Sequence, residues 1–403
     1  MFAALALGLL LASPASAVFT AREMDALDTE GLFDSEYFLD LLGFSPPLDW
    51  RWAWQASSSG YRVNGASLDR SDLLLEQDLK LTRRLNDGLA FRYDLVQRGD
   101  KDLVELHHWL QLEAGPWREL TGGLFGEPEF SKEDADIGLF LRWARGPWML
   151  RGAMDAVDFS FNQRGRTSQS YHRKPVTWDL RAAWTEGGDR VLASAELDEP
   201  LERSVPADGR LYGYRRTRLA LSWDRPASAP AGDWGFAADY AFEYKREQDY
   251  YDPDPSRKTL DFRRTLHTWT LAGERLLGAR DRVEAGARLL TRSANAGHGP
   301  DSAADIRYRR WELQPYGRWR RELRPWAVSE LALFLGEGEQ RRAYPSAPAS
   351  SVAETPAEAK LGTGVDFVYG GGSGRLGLYG HWDLDDAGRH VWDGGNIRAM
   401  FLF

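Results

Sequence analysis

The chain has 403 residues, of which 43% are hydrophobic and 28% charged, and its formal net charge is -9 at pH 7. The negative charge argues against nucleic acid as a partner, and the absence of cysteine excludes a disulfide framework. The composition fits a soluble protein of two or three domains. It fits a transmembrane β-barrel equally well, because the strands of such a barrel show only alternate residues to lipid.

The first 17 residues have the pattern of a secretory signal peptide. An apolar stretch from Phe2 to Ala12 is followed by a small-residue cleavage site at Ala15 and Ala17. The stretch is too short to span a bilayer as a helix, and it lacks the usual basic residue at its start. We therefore predict export of the chain, with residues 1–17 as the signal peptide.

Residues 18–48 form a short acidic segment in which Thr20 and Glu23 make a helix capping box. One or two short helices are expected here. The segment is interpreted as periplasmic or docked in a barrel lumen, and a simple linker is the open alternative.

From Asp49 onward the apolar residues recur at every second position. Trp234, Phe236 and Ala238, for example, alternate with small or charged residues, a register that a helix cannot keep. The pattern predicts an all-β chain: a transmembrane antiparallel up-and-down β-barrel over residues 49–403, of about 18 strands, with 16 as the alternative. The predicted strands begin at Trp50, Leu73, Leu89, Val104, Arg118, Ile137, Trp148, Val176, Val191, Thr217, Trp234, Leu266, Val283, Arg310, Ala327, Leu361, Leu376 and Asn396.

The connections between these strands alternate between short and long along the whole chain. ARGPW and TEGGDR are short, whereas FNQRGRTSQSYHRKP and KREQDYYDPDPSRK are long. Outer-membrane barrels have short periplasmic turns and longer outside loops, so the alternation indicates this class of barrel. Tryptophans adjoin the short turns, and we predict that they form a ring at the membrane interface. The ring comprises Trp117, Trp143, Trp148, Trp184, Trp223, Trp234, Trp319 and Trp326.

The chain ends in a predicted strand, with Ile397, Ala399, Phe401 and Phe403 on one face. This strand resembles the C-terminal targeting strand of bacterial outer-membrane proteins, through the terminal Phe403 and the aromatic Phe401. The match is partial, because that pattern prefers glycine where Arg398 stands. The resemblance implies location in the bacterial outer membrane, with outer-membrane lipid and the barrel-assembly machinery as partners, and Phe401 and Phe403 as the assembly signal.

The polar positions of the strands would line the interior, which is too wide in an 18-strand barrel for its own side chains to fill. The candidate function is therefore a pore for polar or anionic solutes. An arginine-rich segment around Arg307, Arg309 and Arg310 would favour anions. The candidate pore-lining residues are Arg92, Arg142, Arg181, Arg218, Asp239, Glu243, Arg288, Arg318 and Arg320.

The barrel also resembles the wide barrels that export secreted polysaccharide, which would add periplasmic export components as partners. No metal signature, cofactor motif or catalytic motif is present in the sequence, so no metal, no cofactor and no enzymatic activity are expected. Two alternatives stay open: a barrel enzyme whose site is assembled across strands, and a structural or adhesive barrel that conducts nothing. The sequence does not decide the solute, the oligomeric state or whether loops gate the lumen.

Overall fold

The computed structural model describes residues 46–68, 72–99, 104–115, 119–127, 136–156, 170–173, 176–205, 210–227, 234–251, 254–297, 306–345, 348–355, 357–384 and 392–403. The predicted signal peptide and almost all of the segment 18–48 lie outside these residues. Within the described ranges, no helix has the length and apolarity needed to cross a membrane.

One α-helix, α1, covers Leu48–Ala56 and precedes a single antiparallel sheet. In chain order the strands are β1 Gly60–Leu68, β2 Asp72–Asn86, β3 Leu89–Gly99, β4 Val104–Ala114, β5 Leu120–Gly126, β6 Ile137–Arg145, β7 Trp148–Ala156, β8 Ser170–Arg173, β9 Val176–Glu186, β10 Asp189–Asp198 and β11 Leu201–Val205. They continue with β12 Arg210–Arg225, β13 Trp234–Tyr251, β14 Asp254–Leu277, β15 Asp281–Gly297, β16 Ile306–Arg324, β17 Ala327–Ala343, β18 Val352–Glu354, β19 Ala357–Tyr369, β20 Gly374–Asp383 and β21 Trp392–Leu402.

The sheet closes on itself, because β1 pairs with β2 on one side and with the last strand, β21, on the other. The short segments β8, β11 and β18 prolong β9, β10 and β19, respectively. Each of them forms one strand of the wall together with the strand that it prolongs. The wall is therefore a closed 18-strand antiparallel barrel. This confirms the predicted fold class and strand count, and the alternative of 16 strands was wrong.

The first predicted strand was misplaced. Residues 48–56, with Trp50, Trp52 and Trp54 at every second position, are helical, and the first strand is β1, which the sequence presented as a glycine-containing loop. The tryptophans do not define one face of a sheet, because all three are buried inside the barrel. The predicted number of 18 strands still agrees with the structure, because the strand wrongly predicted at Trp50 and the missed strand β1 cancel in the count.

The distribution of polarity is the reverse of that in a soluble protein. Along β17, Leu331, Leu333 and Leu335 are exposed on the outside of the barrel. Glu330, on the same strand, is buried on the inside. The same holds around the wall, where leucine and tryptophan dominate the exposed positions and charged residues dominate the buried ones. A closed barrel with an apolar outer face is the form in which strands span a lipid bilayer, so the chain is a bacterial outer-membrane barrel.

The short connections all lie at one end of the barrel, which we call the short-turn end. The turn between β6 and β7 contains Gly146 at φ 57°, and that between β9 and β10 contains Gly187 at φ 62°. Positive φ is the conformation that tight hairpin turns require and that glycine adopts at little cost. The opposite end carries the long connections and is called the long-loop end.

The apolar outer face gives a depth-dependent prediction on β14. Leu271 is 64% exposed in the middle of the apolar band, whereas Leu277 lies at the short-turn end of the same strand. We expect Leu271→Arg to destabilise the barrel by about 2–4 kcal/mol and Leu277→Arg by about 0–1 kcal/mol. Guanidinium unfolding in lipid vesicles measures both, and equal costs would contradict the membrane position of this wall.

Candidate functional site: the barrel lumen and its inner helix

The structure places the inward-facing charged residues in ion pairs across neighbouring strands. Arg142 Nη2 lies 3.1 Å from Glu113 Oε2, and Arg218 Nε lies 2.8 Å from Glu243 Oε2. All nine residues predicted to line a pore face the inside of the barrel: Arg92, Arg142, Arg181, Arg218, Asp239, Glu243, Arg288, Arg318 and Arg320. That they line a conducting path stays a prediction.

The arginine-rich segment of β16 is divided by the strand alternation. Arg310, Arg318 and Arg320 face inward and are buried, whereas Arg307 and Arg309 face outward and are exposed. The interpretation of the segment as one lumen cluster was therefore wrong for Arg307 and Arg309, because neighbouring positions of a strand point to opposite sides.

One sector of the interior is filled by an interlocked network of charges. Arg318 contacts Glu284 at 3.1 Å and Glu330 at 3.2 Å, and Arg398 contacts the same Glu330 at 3.1 Å. Arg320 Nη2 lies 2.7 Å from Asp366 Oδ2, and this carboxylate also accepts a hydrogen bond from the Tyr379 hydroxyl. These groups are almost fully buried, so this sector is a packed wall and leaves little room for solute.

Helix α1 lies inside the barrel, and its three tryptophan side chains are buried there. Trp50, Trp52 and Trp54 are at most 9% exposed. Trp50 and Trp54 pack with Met400 of the last strand. At the N-terminus of the helix, the Leu48 amide donates a hydrogen bond of 3.0 Å to Glu284 Oε2. A carboxylate at this position is stabilised by the unpaired amides and the dipole of the helix.

Asp49 ties the first turn of α1 to three strands. Its carboxylate lies 2.6 Å from Arg320 Nη1, 2.8 Å from Arg375 Nη1 and 3.3 Å from Arg282 Nη1. Burial acts to raise the pKa of Asp49, but the three guanidinium groups outweigh it and hold this pKa well below its usual range. The carboxylate is therefore ionised throughout the neutral pH range, and the contact persists there.

Arg51 and the helix C-terminus complete the attachment. Arg51 donates two hydrogen bonds to Asp239, of 2.6 and 2.7 Å, and lies 3.2 Å from Asp224. Lys80 Nζ donates a bond of 2.6 Å to the carbonyl oxygen of Trp54 and lies 4.3 Å from the centre of its ring. A cation at the C-terminal carbonyls is favourable for the same electrostatic reason as the carboxylate at the other end.

The partners of α1 locate the helix along the barrel axis. Arg282 and Arg375 are each the second residue of their strand, and Asp224 is the penultimate residue of β12, all next to short connections. The helix therefore occupies the mouth at the short-turn end, which faces the periplasm in barrels of this class.

A second sector of the lumen, along β12–β14, has small inward-facing side chains. Ala220, Ala241, Thr268 and Thr270 face the interior at this level, and Ala241 is exposed there. Arg51 of α1, bound to Asp239, limits this sector toward the short-turn end. The sector, which we call the open strip, is limited toward the long-loop end by Glu243 and its two partners, Arg218 and Arg264.

Seven of the eight predicted ring tryptophans are described, and these seven face outward near short turns; Trp117 lies outside the described residues. Trp223 Nε1 donates to Asp189 and Trp319 Nε1 to Asp281, each at 3.1 Å. An indole with its ring toward lipid and its N–H bonded at a polar turn is the usual arrangement at a membrane interface.

The last strand closes the barrel as the sequence suggested. Phe401 is paired with Tyr61 of β1 and is exposed on the outer face, and the Phe403 amide donates to the Ser59 carbonyl at 3.2 Å. The role of Phe401 and Phe403 as an assembly signal stays a prediction. Binding of the chain by the barrel-assembly machinery stays a prediction as well. Among the described residues, no group of three acidic or histidine side chains is placed to hold a metal ion.

Comparison with known proteins gives likeness of fold only. No family model and no curated protein matches the sequence. Among solved structures, OmpT, an outer membrane protein of Vibrio cholerae, is 11% identical, with 86% of this chain and 98% of that chain covered and a TM-score of 0.38. A bacterial polysaccharide outer membrane secretin is 12% identical, covering 86% and 99%, with a TM-score of 0.37. The alcaligin outer membrane receptor FauA of Bordetella pertussis is 10% identical, covering 81% and 62%, with a TM-score of 0.39.

These comparisons correct one expectation. The sequence was interpreted as that of a protein without enzymatic activity, and this exclusion was wrong. The likeness to solved barrels shows the fold alone, and an outer-membrane barrel fold does not by itself exclude an enzyme.

Sequence reasoning missed the residues that attach α1. Arg51 was assigned to a strand and Asp49 to the position just before it, and their partners Asp239 and Arg320 are 188 and 271 positions away. The available signal was the run LDWRWAW, in which charges of both signs alternate with tryptophan just before the first glycine-rich strand.

The attachment of α1 gives a testable expectation. Asp49→Asn removes the charge shared by Arg320, Arg375 and Arg282, so the helix should leave the mouth more often and expose the peptide bond after Arg51 to trypsin. We expect faster cleavage there than in the wild type, measured by mass spectrometry of the folded protein. Asp87→Asn, in an exposed turn, is the control; an unchanged cleavage rate for Asp49→Asn would show that this carboxylate does not hold the helix.

The packed wall gives a second expectation. Arg318→Ala leaves the buried carboxylates of Glu284 and Glu330 without one of their cations, and should lower the free energy of unfolding by about 3–5 kcal/mol. Arg321→Ala removes an exposed guanidinium 3.9 Å from Asp281 and should change it by no more than about 0.5 kcal/mol. Unfolding in lipid vesicles measures both variants, and similar losses would mean that the network does not stabilise the wall.

Proposed function

We propose that the barrel is a pore that carries polar, preferentially anionic, solutes across the outer membrane. The observation that supports the proposal is the open strip of β12–β14. Its small inward-facing residues leave free space beside a wall of ionised groups. Charged side chains facing such a space stay hydrated, which avoids the cost of burying them in a dry interior.

The preference for anions is argued from the cations at the edges of the strip. Arg218 and Arg264 both pair with Glu243, and Arg218 also lies 3.7 Å from Glu196, so two guanidinium groups stand at this edge of the strip. Arg288 faces the lumen from the neighbouring strand β15 and is only half-buried. Fixed charges that line a narrow aqueous path select ions of the opposite sign.

Helix α1 would act as a constriction at the periplasmic mouth of this pore. A small ion needs only a gap beside the helix, whereas a polymer needs the mouth to be free. Export of a polysaccharide is therefore the form of the proposal that requires α1 to leave its site, and it predicts that weakening the attachment of the helix, as in Asp49→Asn, increases the passage of long sugar chains.

The proposed path is tested by filling the open strip. Ala241→Trp places a large ring in the strip and should lower single-channel conductance in planar bilayers several-fold. Ala238→Trp adds the same ring three positions earlier on the outer, lipid-facing side of β13 and should leave conductance unchanged. Wild-type protein that passes no current at any voltage, or equal conductance in the two variants, would overturn the proposal.

The charge preference is tested separately. Arg288→Gln removes a cation from the lumen, so the reversal potential in a salt gradient should shift toward cation selectivity. Arg145→Gln, at an exposed short turn with 71% of its side chain accessible, is the matched control. An unchanged reversal potential for Arg288→Gln would mean that the conducting path does not pass this residue.

A further inference from the structure

The outer face of β13–β17 carries a basic patch above the apolar band, toward the long-loop end. Its outward arginines are Arg246, Arg263, Arg307, Arg309 and Arg341. Among the described residues, Asp261, Glu337 and Glu339 are the outward-facing carboxylates at this long-loop end of the same strands. Positive charge therefore exceeds negative charge on a surface that faces away from the lumen and that the pore does not use.

Strand register brings these arginines close together. Arg309 of β16 is the direct partner of Arg341 on β17, and Arg246 of β13 is the direct partner of Arg263 on β14. Like charges directly opposite each other destabilise a sheet unless an anion compensates them. Asp261 accepts bonds from both Arg246 and Arg263 at 3.1 Å.

The second pair of arginines is compensated only in part. Arg341 bonds to Glu339, which also accepts a bond of 3.3 Å from Trp311 Nε1. For Arg309, no carboxylate of the described chain lies within ion-pair distance. Next to it, Thr265 and Ser293 occupy the same cross-strand row on β14 and β15, so two hydroxyl groups and two guanidinium groups adjoin one another.

The small side chains of β15 make this row a cleft. Thr291 and Ser293 lie between His267 on one side and Trp311 and Arg309 on the other. The floor of the cleft offers hydroxyl groups, and its rim carries the guanidinium groups of Arg309 and Arg341 together with the carboxylate of Glu339. Arginine binds phosphate oxygens through two parallel hydrogen bonds, and hydroxyl groups can supplement them.

The height of the cleft fits the boundary of the membrane. Trp311 and Trp319 are eight positions apart on β16, both face outward and both bond through the indole N–H to a carboxylate. Eight residues of a tilted strand span roughly 20 Å of membrane thickness, which is close to the apolar band of such barrels. Because Trp319 lies near the short-turn end, Trp311 marks the opposite interface, and Arg309 lies two residues beyond it among the headgroups.

We propose that this cleft binds the phosphate groups of a lipid in the outer leaflet, of the diphosphorylated glycolipid type that lipid A represents. Arg309 and Arg341 bind the phosphate from the rim, Ser293 and Thr265 donate hydrogen bonds from the floor, and Trp311 contacts the upper part of the acyl chains. The bound phosphate supplies an anion to Arg309 and a second one to Arg341 beside Glu339. The proposal concerns the outside of the barrel and does not depend on conduction through the lumen.

The test uses the full chain in nanodiscs that contain diphosphoryl lipid A in phosphatidylcholine, with retained lipid A counted by native mass spectrometry. The double variant Arg309→Gln, Arg341→Gln should retain about tenfold less lipid A, since it loses two charge-assisted contacts. The matched control, Arg275→Gln with Arg321→Gln, removes two outward arginines of β14 and β16 at the short-turn end and should retain as much as the wild type.

Two further measurements make the outcome decisive. Fully dephosphorylated lipid A should be retained equally poorly by wild type and double variant; strong, equal retention of it would show that the phosphates are not recognised. Inorganic phosphate added in excess should fail to release the lipid, and complete release would identify a site for a free anion instead. Equal retention of diphosphoryl lipid A by all variants, with the barrel folded by its mobility in gels, would overturn the proposal.

Discussion

The structure depends on one constraint: every backbone N–H and C=O group of a strand in lipid must find a partner within the chain. The pairing of β1 with β21 meets it, because it removes the two free edges that the sheet would otherwise present to lipid. Once the wall is closed, each residue faces either lipid or lumen, and strand alternation decides which. The exposed Leu331 and the buried Glu330, neighbours on β17, are direct consequences.

Closure also explains why the interior is charged. A ring of 18 strands encloses more volume than its own side chains fill as a dry core, so polar groups face inward and satisfy one another. In the sector of Arg318, Arg320 and Glu330 this produces a packed network. In the sector of Ala220 and Ala241 it leaves space, and α1 limits that space at the periplasmic mouth. The packed wall and helix α1 thus fill part of the volume that the 18 strands enclose, and the open strip is a part that stays unfilled.

Local patterns predicted the wall well, because alternation and turn length are properties of neighbouring residues. Strands such as β13 begin where the sequence indicated, and the short turns gather at one end. The inner helix was not predictable in this way. Its Trp50, Trp52 and Trp54 mimic a strand, and the bond from Asp49 to Arg320 joins residues 271 positions apart. The basic patch shows the same limit. Arg309 and Arg310 are adjacent in sequence but lie on opposite faces, and only the register shows that Arg309 opposes Arg341.

The central claim, a wall that is apolar outside and wet inside, can be measured position by position. The chain contains no cysteine, so single cysteines introduced from Phe236 to Phe242 report on β13 without background. In proteoliposomes, a membrane-impermeant thiol reagent should label Asp239→Cys and Ala241→Cys, and should spare Phe236→Cys, Ala238→Cys and Tyr240→Cys. Labelling of both sets alike, or of the second set alone, would contradict the account.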